Sequence, residues 1–190
     1  PPAPRPCPLV CPLVNTALPR TPADALQHAR ARGVERLDAQ LLLTHVTGQS
    51  RAWLLAHDHD PLPPDQARRF VELVARRAAG EPAAYLLGDK EFFGLTLQVT
   101  PATLIPRPDT ETLVDWALQV IPEQAPVDKP AFSVLDLGTG SGAIALALAH
   151  RRPHADVTAV DASADALAVA AANARALNLP LRCLHGSWLT

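Results

Sequence analysis

The sequence predicts an α/β protein in which an N-terminal helical bundle and a β-hairpin linker precede the start of a parallel sheet. Apolar residues recur at helical spacing through roughly the first ninety residues, and the period then shortens to two. From Phe132 onwards, short apolar runs alternate with helical segments. This alternation is typical of a doubly wound, Rossmann-like sheet, and three strands are too few to complete one.

The helical bundle is predicted from four segments. Thr21 and Pro22 supply an N-cap and a first-turn proline for a helix that Gly33 ends. Ser50 can cap a short helix, and Pro64 opens a longer one. The remaining helical pattern is carried by Leu37, Leu41, Leu42 and Val46, which lead to Gly48, and by Phe70, Leu73 and Val74.

The second half of the chain changes from strand to helix and then alternates. Leu95, Leu97 and Val99 alternate with polar residues, which predicts a half-buried strand of a hairpin. A helix is indicated by Leu113, Trp116, Ala117 and Val120. Apolar strands are predicted at 132–137, 156–160 and 181–184, with helices at 144–149 and 164–177 between them.

Composition argues against several classes of protein. The formal net charge is -2 over 190 residues, so no global basic field is available to hold a nucleic-acid backbone. The 3 cysteines have no Cys-x-x-Cys spacing, and the His57-Asp58-His59-Asp60 stretch is expected to face water rather than a metal. No apolar run reaches the roughly 20 residues of a membrane-spanning helix. We expect a cytoplasmic monomer without a metal, a membrane span or direct nucleic-acid contact.

A glycine-rich loop lies between the first strand and the first helix of the predicted sheet. Its residues are Asp136, Leu137, Gly138, Thr139, Gly140, Ser141 and Gly142. Glycines here permit a tight turn and allow a ligand to approach the backbone. Asp161 ends the next strand, where its carboxylate can accept hydrogen bonds from two ribose hydroxyls. Loop and acid together predict a site for a nucleoside cofactor.

The identity of that cofactor depends on Asp136. The loop also fits the dinucleotide pattern Gly-x-Gly-x-x-Ala, so a nicotinamide enzyme is one alternative. A carboxylate beside the loop repels a pyrophosphate, whereas S-adenosylmethionine carries cationic amino and sulfonium groups and no phosphate. We therefore predict an S-adenosylmethionine site, with the indole of Trp188 placed to stack on the adenine. The structural alternatives are a tight turn that binds nothing and a Trp188 that belongs to the core.

Three further motifs precede the loop in order. They are Gly80-Glu-Pro-Ala-Ala-Tyr-Leu-Leu-Gly88, Glu91-Phe-Phe-Gly94 and Leu104-Ile-Pro-Arg-Pro-Asp-Thr-Glu111. With the segment from Val134 to Ala145, Ala159-Val-Asp161 and Gly186-Ser-Trp188, the sequence resembles the PrmC/HemK family of protein glutamine methyltransferases. The likeness runs from about Thr21 to the end of the chain.

The resemblance implies a function and a domain organisation. Residues 21–90 would form a helical substrate-recognition domain, 91–131 the hairpin and a connecting helix, and 132–190 the start of an S-adenosylmethionine-dependent methyltransferase domain. A methyl group would be transferred to the side-chain amide of the glutamine in the Gly-Gly-Gln motif of class 1 peptide chain release factors. Residues 1–20 would be a disordered tail, because eight of the 20 prolines lie in the first 22 residues.

The resemblance also implies roles for individual residues. Gly138 to Gly142, Asp161 and Trp188 would contact the cofactor. Arg107, Pro108 and Asp109 would lie at the rim of the active-site pocket, although we favour Asp109 as the N-cap of the following helix.

One family motif is missing from these residues. In the family, an Asn-Pro-Pro-Tyr motif binds the substrate amide through its Asn side chain and a proline carbonyl, and no Asn-Pro-Pro occurs in this sequence. No catalytic residue is therefore assigned, and we expect an N-terminal fragment that is inactive and unstable alone. The two alternative functions are an adenine-specific nucleic-acid methyltransferase, against which the N-terminal motifs argue, and a non-catalytic protein-binding remnant.

Overall fold

The protein is described here by a computed structural model that covers residues 17–123 and 132–187. Two compact units divide the chain between Ala79 and Gly80. Most of the predicted proline-rich tail, residues 124–131 and Trp188 lie outside the described residues. Within the described part, no helix has the length and apolar character needed to cross a membrane.

Four helices build the described part of the first unit. They are α1 (Pro22–Ala31), α2 (Arg36–Thr47), α3 (Arg51–Ala56) and α4 (Pro64–Ala78). In this unit, the caps predicted from the sequence are confirmed. Thr21 Oγ1 accepts the N–H of Asp24 at 3.1 Å, and Ser50 Oγ accepts the N–H of Trp53 at 3.1 Å. Gly48 ends α2 with a φ of 68°, in the left-handed region that favours glycine.

The core of the first unit lies between α1, α2 and α4. It contains Ala25, Ala29, Leu42, Leu43, Phe70 and Val74, each fully buried. At the edge of this core, Arg77 Nε on α4 donates to Asp38 Oδ2 on α2 at 2.6 Å. Helical spacing predicted α2 correctly but did not identify its buried face. Leu37 and Leu41 are exposed, because the helix packs through the face that carries Leu42 and Leu43.

The second unit begins with a short helix and an antiparallel hairpin. Helix α5 (Ala83–Leu87) precedes strands β1 (Asp89–Phe92) and β2 (Leu95–Gln98). Phe93 and Gly94 form the turn with φ values of 52° and 79°, as a type I′ hairpin turn requires. Carboxylates hold this turn, since Glu91 accepts the N–H of Gly94 at 2.6 Å and Glu111 accepts the N–H of Phe93 at 3.0 Å.

The helix after the hairpin corrects one prediction. Helix α6 spans Glu111–Val120 and continues directly from a 3₁₀ turn at Pro108–Thr110. Asp109 lies within that turn and not at the N-cap, which is Thr110 with helical dihedral angles and no side-chain cap bond. The N-cap prediction for Asp109 is therefore wrong, because the proline starts the helical turn one step earlier. Of the apolar residues that predicted α6, Leu113, Trp116 and Val120 are exposed.

The predicted parallel sheet is confirmed. Its elements are β3 (Ser133–Leu137), α7 (Ala143–Arg151), β4 (Asp156–Asp161), α8 (Ala164–Ala176) and β5 (Arg182–His185). Both strand pairs are parallel, in the order β3-β4-β5. With three strands in the described residues, the sheet is incomplete for a Rossmann-like fold, as predicted. Phe92, Leu95 and Leu97 of the hairpin belong to the same buried cluster as α7 and β4. The hairpin is thus part of the core of the second unit.

Gln40 is a buried polar residue in the first unit. It lies on α2 with 3% of its surface exposed, and its Oε1 has no hydrogen-bond partner among the described residues. A buried amide oxygen without a donor destabilises a fold by about 1–3 kcal/mol. We expect Gln40→Leu, which is close in volume and helix propensity, to raise the free energy of unfolding by about 1 kcal/mol.

Urea denaturation followed by circular dichroism measures this change. Gln27→Leu on α1 is the matched control, because Gln27 is exposed and its replacement should change stability by less than about 0.5 kcal/mol. A Gln40→Leu variant less stable than the parent chain would show that the amide has a partner in solution.

Candidate functional site

The glycine-rich loop is fixed to the end of the neighbouring strand. Because β3 and β4 are parallel and paired in register from Ser133 opposite Asp156, their carboxyl ends lie side by side. The N–H groups of Gly138 and Thr139 both donate to the carbonyl oxygen of Val160, at 2.8 Å and 3.0 Å. This arrangement brings Asp136 on β3 and Asp161 on β4 to the two sides of one loop.

The glycines of the loop serve two different purposes. Gly138 and Gly140 have φ values of 78° and 56°, and a Cβ added at either would meet no protein atom within 4 Å. Their backbone therefore borders open space into which a ligand can approach closely. Gly142 has a φ of 82°, and a Cβ there would lie 3.1 Å from Leu146 and 3.2 Å from Ala170. The third glycine thus permits the close packing of α7 and α8.

Asp161 holds the loop from the side of the strand ends. Its Oδ2 accepts the N–H of Gly140 at 2.8 Å, and its Oδ1 accepts the N–H of Ser163 at 2.9 Å. A carboxylate has about four acceptor positions, so each oxygen keeps one for a further donor. Two adjacent hydroxyl groups, such as those of a ribose, are donors that fit these positions.

Asp136 is largely buried beneath the same loop. Burial raises the pKa of its carboxyl group, and the negative charge of Asp161 raises it further. Hydrogen bonds from the Thr139 hydroxyl, at 2.7 Å, and from the Ala145 backbone act in the opposite direction. An ionised Asp136 is thus poorly solvated, and a cation placed beside it would replace the missing hydration. The two carboxylates make the site electrostatically suited to a cationic ligand.

Asn173 holds the loop from the side of α8 and was not among the residues predicted from the sequence. The side chain lies on α8 and is 2% exposed. Its Nδ2 donates to the carbonyl of Ser141 at 2.8 Å and to the carbonyl of Gln98 at 3.0 Å. Its Oδ1 accepts the N–H of Gln98 at 2.7 Å. One side-chain amide therefore connects the glycine-rich loop, helix α8 and the hairpin strand β2.

A signal for Asn173 is present in the pattern of α8. The buried positions of this helix are Ala166, Leu167, Val169, Ala170, Asn173 and Ala174. Asn173 is thus a polar residue on an otherwise apolar face, and buried polar side chains require hydrogen-bond partners. The identity of those partners could not be read from the sequence, because they lie 32 and 75 positions away.

The other predicted site residues lie away from this network or outside the described part. Arg107, Pro108 and Asp109 are exposed at the start of α6, and no hydrogen bond joins them to the loop in the described residues. The preceding segment is anchored by Tyr85, whose hydroxyl donates to the Thr103 carbonyl at 2.7 Å. Trp188 is among the residues that the structure does not describe. The described residues contain no group of three or more His, Cys, Asp or Glu side chains placed to hold a metal.

Replacing Asn173 tests the link between the loop and the hairpin. Asn173→Leu keeps the approximate volume but leaves the Ser141 carbonyl and both Gln98 backbone groups without this partner. We expect the free energy of unfolding to fall by about 3 kcal/mol, measured by urea denaturation. Hydrogen exchange at the Gln98 amide should accelerate in the variant. Exposed Arg175 on the same helix gives the control Arg175→Leu, and equal stability of the two variants would contradict the assigned role.

Replacing Asp136 tests the electrostatic character of the site. The pKa of the folded carboxyl is raised, so its ionised form destabilises the folded state above that pKa, and the penalty disappears as the pH falls through it. We expect Asp136→Asn to be more stable than the parent chain at neutral pH. The difference should shrink as the solution is acidified, in urea denaturation repeated across a pH series.

Asp156→Asn is the matched control for the Asp136 experiment, because it removes the same charge from an exposed position at the start of β4. An Asp136→Asn variant that is less stable than the parent at neutral pH would show that the hydrogen bonds to the carboxylate outweigh its burial.

Comparison with known proteins identifies both units. Residues 23–88 match the PrmC N-terminal domain, and residues 111–189 match the methyltransferase small domain. Among solved structures, one similar protein is an SAM-dependent methyltransferase from Agrobacterium tumefaciens, with 25% identity and a TM-score of 0.41 over 50% of this chain and 31% of that chain.

Proteins named release factor glutamine methyltransferase in two bacteria are similar to this chain. Release factor glutamine methyltransferase from Bordetella pertussis is 55% identical over 82% of this chain and 56% of its own length. The protein of that name from Escherichia coli is 46% identical over 61% of this chain and 40% of its own length. The chain thus spans about half the length of the curated relatives that it matches. The chain thus contains a PrmC N-terminal domain followed by a methyltransferase small domain, which is the order expected from its resemblance to the PrmC/HemK family of methyltransferases.

Proposed function

We propose that this chain binds S-adenosylmethionine at the glycine-rich loop and serves in the methylation of a glutamine side-chain amide. The proposed substrate is the Gly-Gly-Gln motif of class 1 peptide chain release factors. The observation that carries the proposal is the pair Asp136 and Asp161, which flank an open glycine loop with two carboxylates. The relatives named release factor glutamine methyltransferase support the choice of substrate.

The residues of the loop fit S-adenosylmethionine by shape and by charge. Asp161 would accept hydrogen bonds from the ribose hydroxyls through its remaining acceptor positions. Asp136 would face the cationic part of the cofactor, with its carboxylate oriented by the Thr139 hydroxyl. Gly138 and Gly140 would allow the backbone to approach the ligand. When bound, the cofactor supplies a methyl group activated by attachment to a sulfonium.

Methyl transfer to an amide depends on positioning, because an amide nitrogen is a weak nucleophile. Acceptors must orient the nitrogen towards the methyl carbon, and a small misplacement greatly slows the reaction. We assign none of the residues that the structure describes to the positioning of the amide nitrogen. Arg107, Pro108 and Asp109 are proposed as part of the pocket rim, and Trp188 as the side chain that stacks on the adenine.

The partner and setting follow from the proposed substrate. We propose that residues 21–90 act as the substrate-recognition domain and that residues 132–190 begin the catalytic domain. Release factors act in translation, so the reaction would take place in the cytoplasm, with the enzyme as a monomer. Direct binding of nucleic acid is not expected, since the chain has a formal net charge of -2.

Cofactor binding by this chain is the first test. Isothermal titration should detect binding of S-adenosylmethionine and no binding of NAD⁺. Asp161→Asn should weaken the affinity for S-adenosylmethionine at least about tenfold, through loss of charge-assisted hydrogen bonds to the ribose. Asp136→Asn should weaken S-adenosylmethionine more than S-adenosylhomocysteine, because the latter lacks the sulfonium charge. Preference for NAD⁺ would identify a dinucleotide site instead.

Substrate choice is tested separately with a class 1 release factor and its Gly-Gly-Ala variant. Surface plasmon resonance should show binding of both to this chain, and an adenine-containing oligonucleotide of similar size should not bind. Tritium from labelled S-adenosylmethionine is expected to reach neither protein when this chain is supplied alone. Labelling of the Gly-Gly-Gln protein only would confirm the substrate and overturn the expected inactivity, whereas labelling of DNA or RNA would exclude the proposed substrate.

A further inference from the structure

Residues 104–110 form an exposed stretch of the second unit between the hairpin and α6, and we call it the rim segment. Leu104 is 77% exposed, more than any other exposed large apolar side chain in the described residues, and Arg107 is exposed as well. Pro106 and Pro108 fix their own φ angles and favour an extended residue before them. Arg107 is extended accordingly, with a φ of -98° and a ψ of 143°. The rim segment is thus stiffened by its own sequence.

A tyrosine hydroxyl holds the start of the rim segment. Tyr85 on α5 donates its hydroxyl to the carbonyl oxygen of Thr103 at 2.7 Å. Thr103 is buried, and its own hydroxyl donates to the Thr100 carbonyl at 3.2 Å. This turn follows Gln98 closely, and the backbone of Gln98 is bound by the Asn173 amide that also holds the glycine-rich loop. The rim segment therefore starts at the end of the hairpin that is attached to the loop.

A carboxylate holds the other end of the rim segment. Glu111, the first residue of α6, accepts the N–H of Phe93 at 3.0 Å. Phe93 has a φ of 52°, which is unfavourable for a bulky residue and persists only where the surroundings enforce it. A glycine could form this turn without strain but would lack the ring, which packs on the buried cluster with its centroid 5.7 Å from Cζ of Arg151. The ring makes the hairpin turn a fixed point to which Glu111 attaches.

The rim segment suits a polypeptide that contains glycine. An exposed leucine is common by itself, but one on a rigid segment can bind a partner without the entropic cost of ordering the backbone. Glycine has no Cβ, so a protruding side chain such as Leu104 can approach its backbone closely. The guanidinium of Arg107 can donate hydrogen bonds to the carbonyl oxygens of the same backbone. The Gly-Gly pair of the proposed substrate motif offers both features next to the glutamine.

We propose that Tyr85 and Glu111 are positioning residues that hold the rim segment as a preformed contact for the Gly-Gly backbone of the release factor. Leu104 packs against the two glycines, and Arg107 donates to their carbonyl oxygens. Fixing this backbone limits where the adjacent glutamine amide can lie, which is the positioning that methyl transfer requires. The identity of the partner rests on the proposed function, whereas the rigidity of the rim segment does not.

Nitrogen-15 relaxation of the full 190-residue chain tests the two positioning residues without any partner. The heteronuclear NOE of the Leu104 and Arg107 amides should be as high as that of the β2 amides in the parent chain. Tyr85→Phe and Glu111→Ala should lower it, whereas Glu111→Gln, which keeps an acceptor oxygen for the turn, should preserve it. The matched control is Glu72→Ala on α4, which removes an exposed carboxylate from the first unit. Flexible rim amides in the parent chain, or unchanged values in both Tyr85→Phe and Glu111→Ala, would overturn the positioning role.

Surface plasmon resonance with an immobilised class 1 release factor tests the contact itself. Leu104→Ser and Arg107→Gln should each weaken binding of the chain at least about fivefold. Glu111→Ala should weaken it about threefold through the cost of ordering a loosened segment, and Glu111→Gln should restore it. Leu113→Ser is the matched control, since this leucine on α6 is 47% exposed and lies outside the rim segment.

A release factor with Ala-Ala-Gln in place of Gly-Gly-Gln completes the experiment. The two alanines should weaken binding of the parent chain, and the loss should be smaller for Leu104→Ser, because that variant has already lost the contact with the glycines. Equal binding of the parent chain and Leu104→Ser would overturn the inference and leave the proposed substrate intact. A release factor that does not bind the parent chain would contradict both the proposed substrate and the rim contact.

Discussion

The side-chain amide of Asn173 satisfies three backbone groups at once, and the geometry of the second unit depends on it. The glycine-rich loop borders open space at Gly138 and Gly140 and is not packed against the described part of the protein on that side. It is held instead from behind, where Asn173 fixes the Ser141 carbonyl and Gly142 packs against Ala170. The same amide pairs with the backbone of Gln98, so the hairpin and the loop share one point of attachment. Any shift of α8 therefore moves both.

The front of the loop is governed by charge. Asp136 sits where burial and the neighbouring carboxylate of Asp161 both raise its pKa, so the residue opposes stability when ionised and without a partner. A pyrophosphate would add negative charge to this environment, whereas a sulfonium or an ammonium would relieve it. The carboxylate of Asp136 thus lowers the stability of the protein without a ligand, and the same negative charge favours a cationic ligand. Such residues are typical of functional sites, where local stability is below its optimum.

Local sequence signals predicted the helices and strands. The buried face of each helix depends on tertiary packing and could not be predicted from neighbouring residues. Thr21, Ser50 and Gly48 act within one helical turn, so the helix ends that they form could be predicted from adjacent residues. The buried faces of α2 and α6 depend on neighbouring elements, which explains the exposure of Leu37 and Trp116. The error at Asp109 has a local cause, since Pro108 began a 3₁₀ turn. Asn173 and Gln98 are separated by 75 positions, and no local pattern contains that pairing.

Asn173 and Gln40 are both buried side-chain amides on helices, but their surroundings give them different meanings. In the described residues, Asn173 forms its hydrogen bonds with the backbone of Ser141 and Gln98, so this side chain has a structural role. The Oε1 atom of Gln40 has no hydrogen-bond partner in the described part of the chain, so hydrogen bonding there gives no reason for its presence. An apolar residue at that position would stabilise the helices without changing their packing. Burial alone therefore does not make a polar side chain stabilising. Asn173 contributes to stability through its three backbone partners, whereas the amide oxygen of Gln40 loses its hydration without gaining a partner in the described residues.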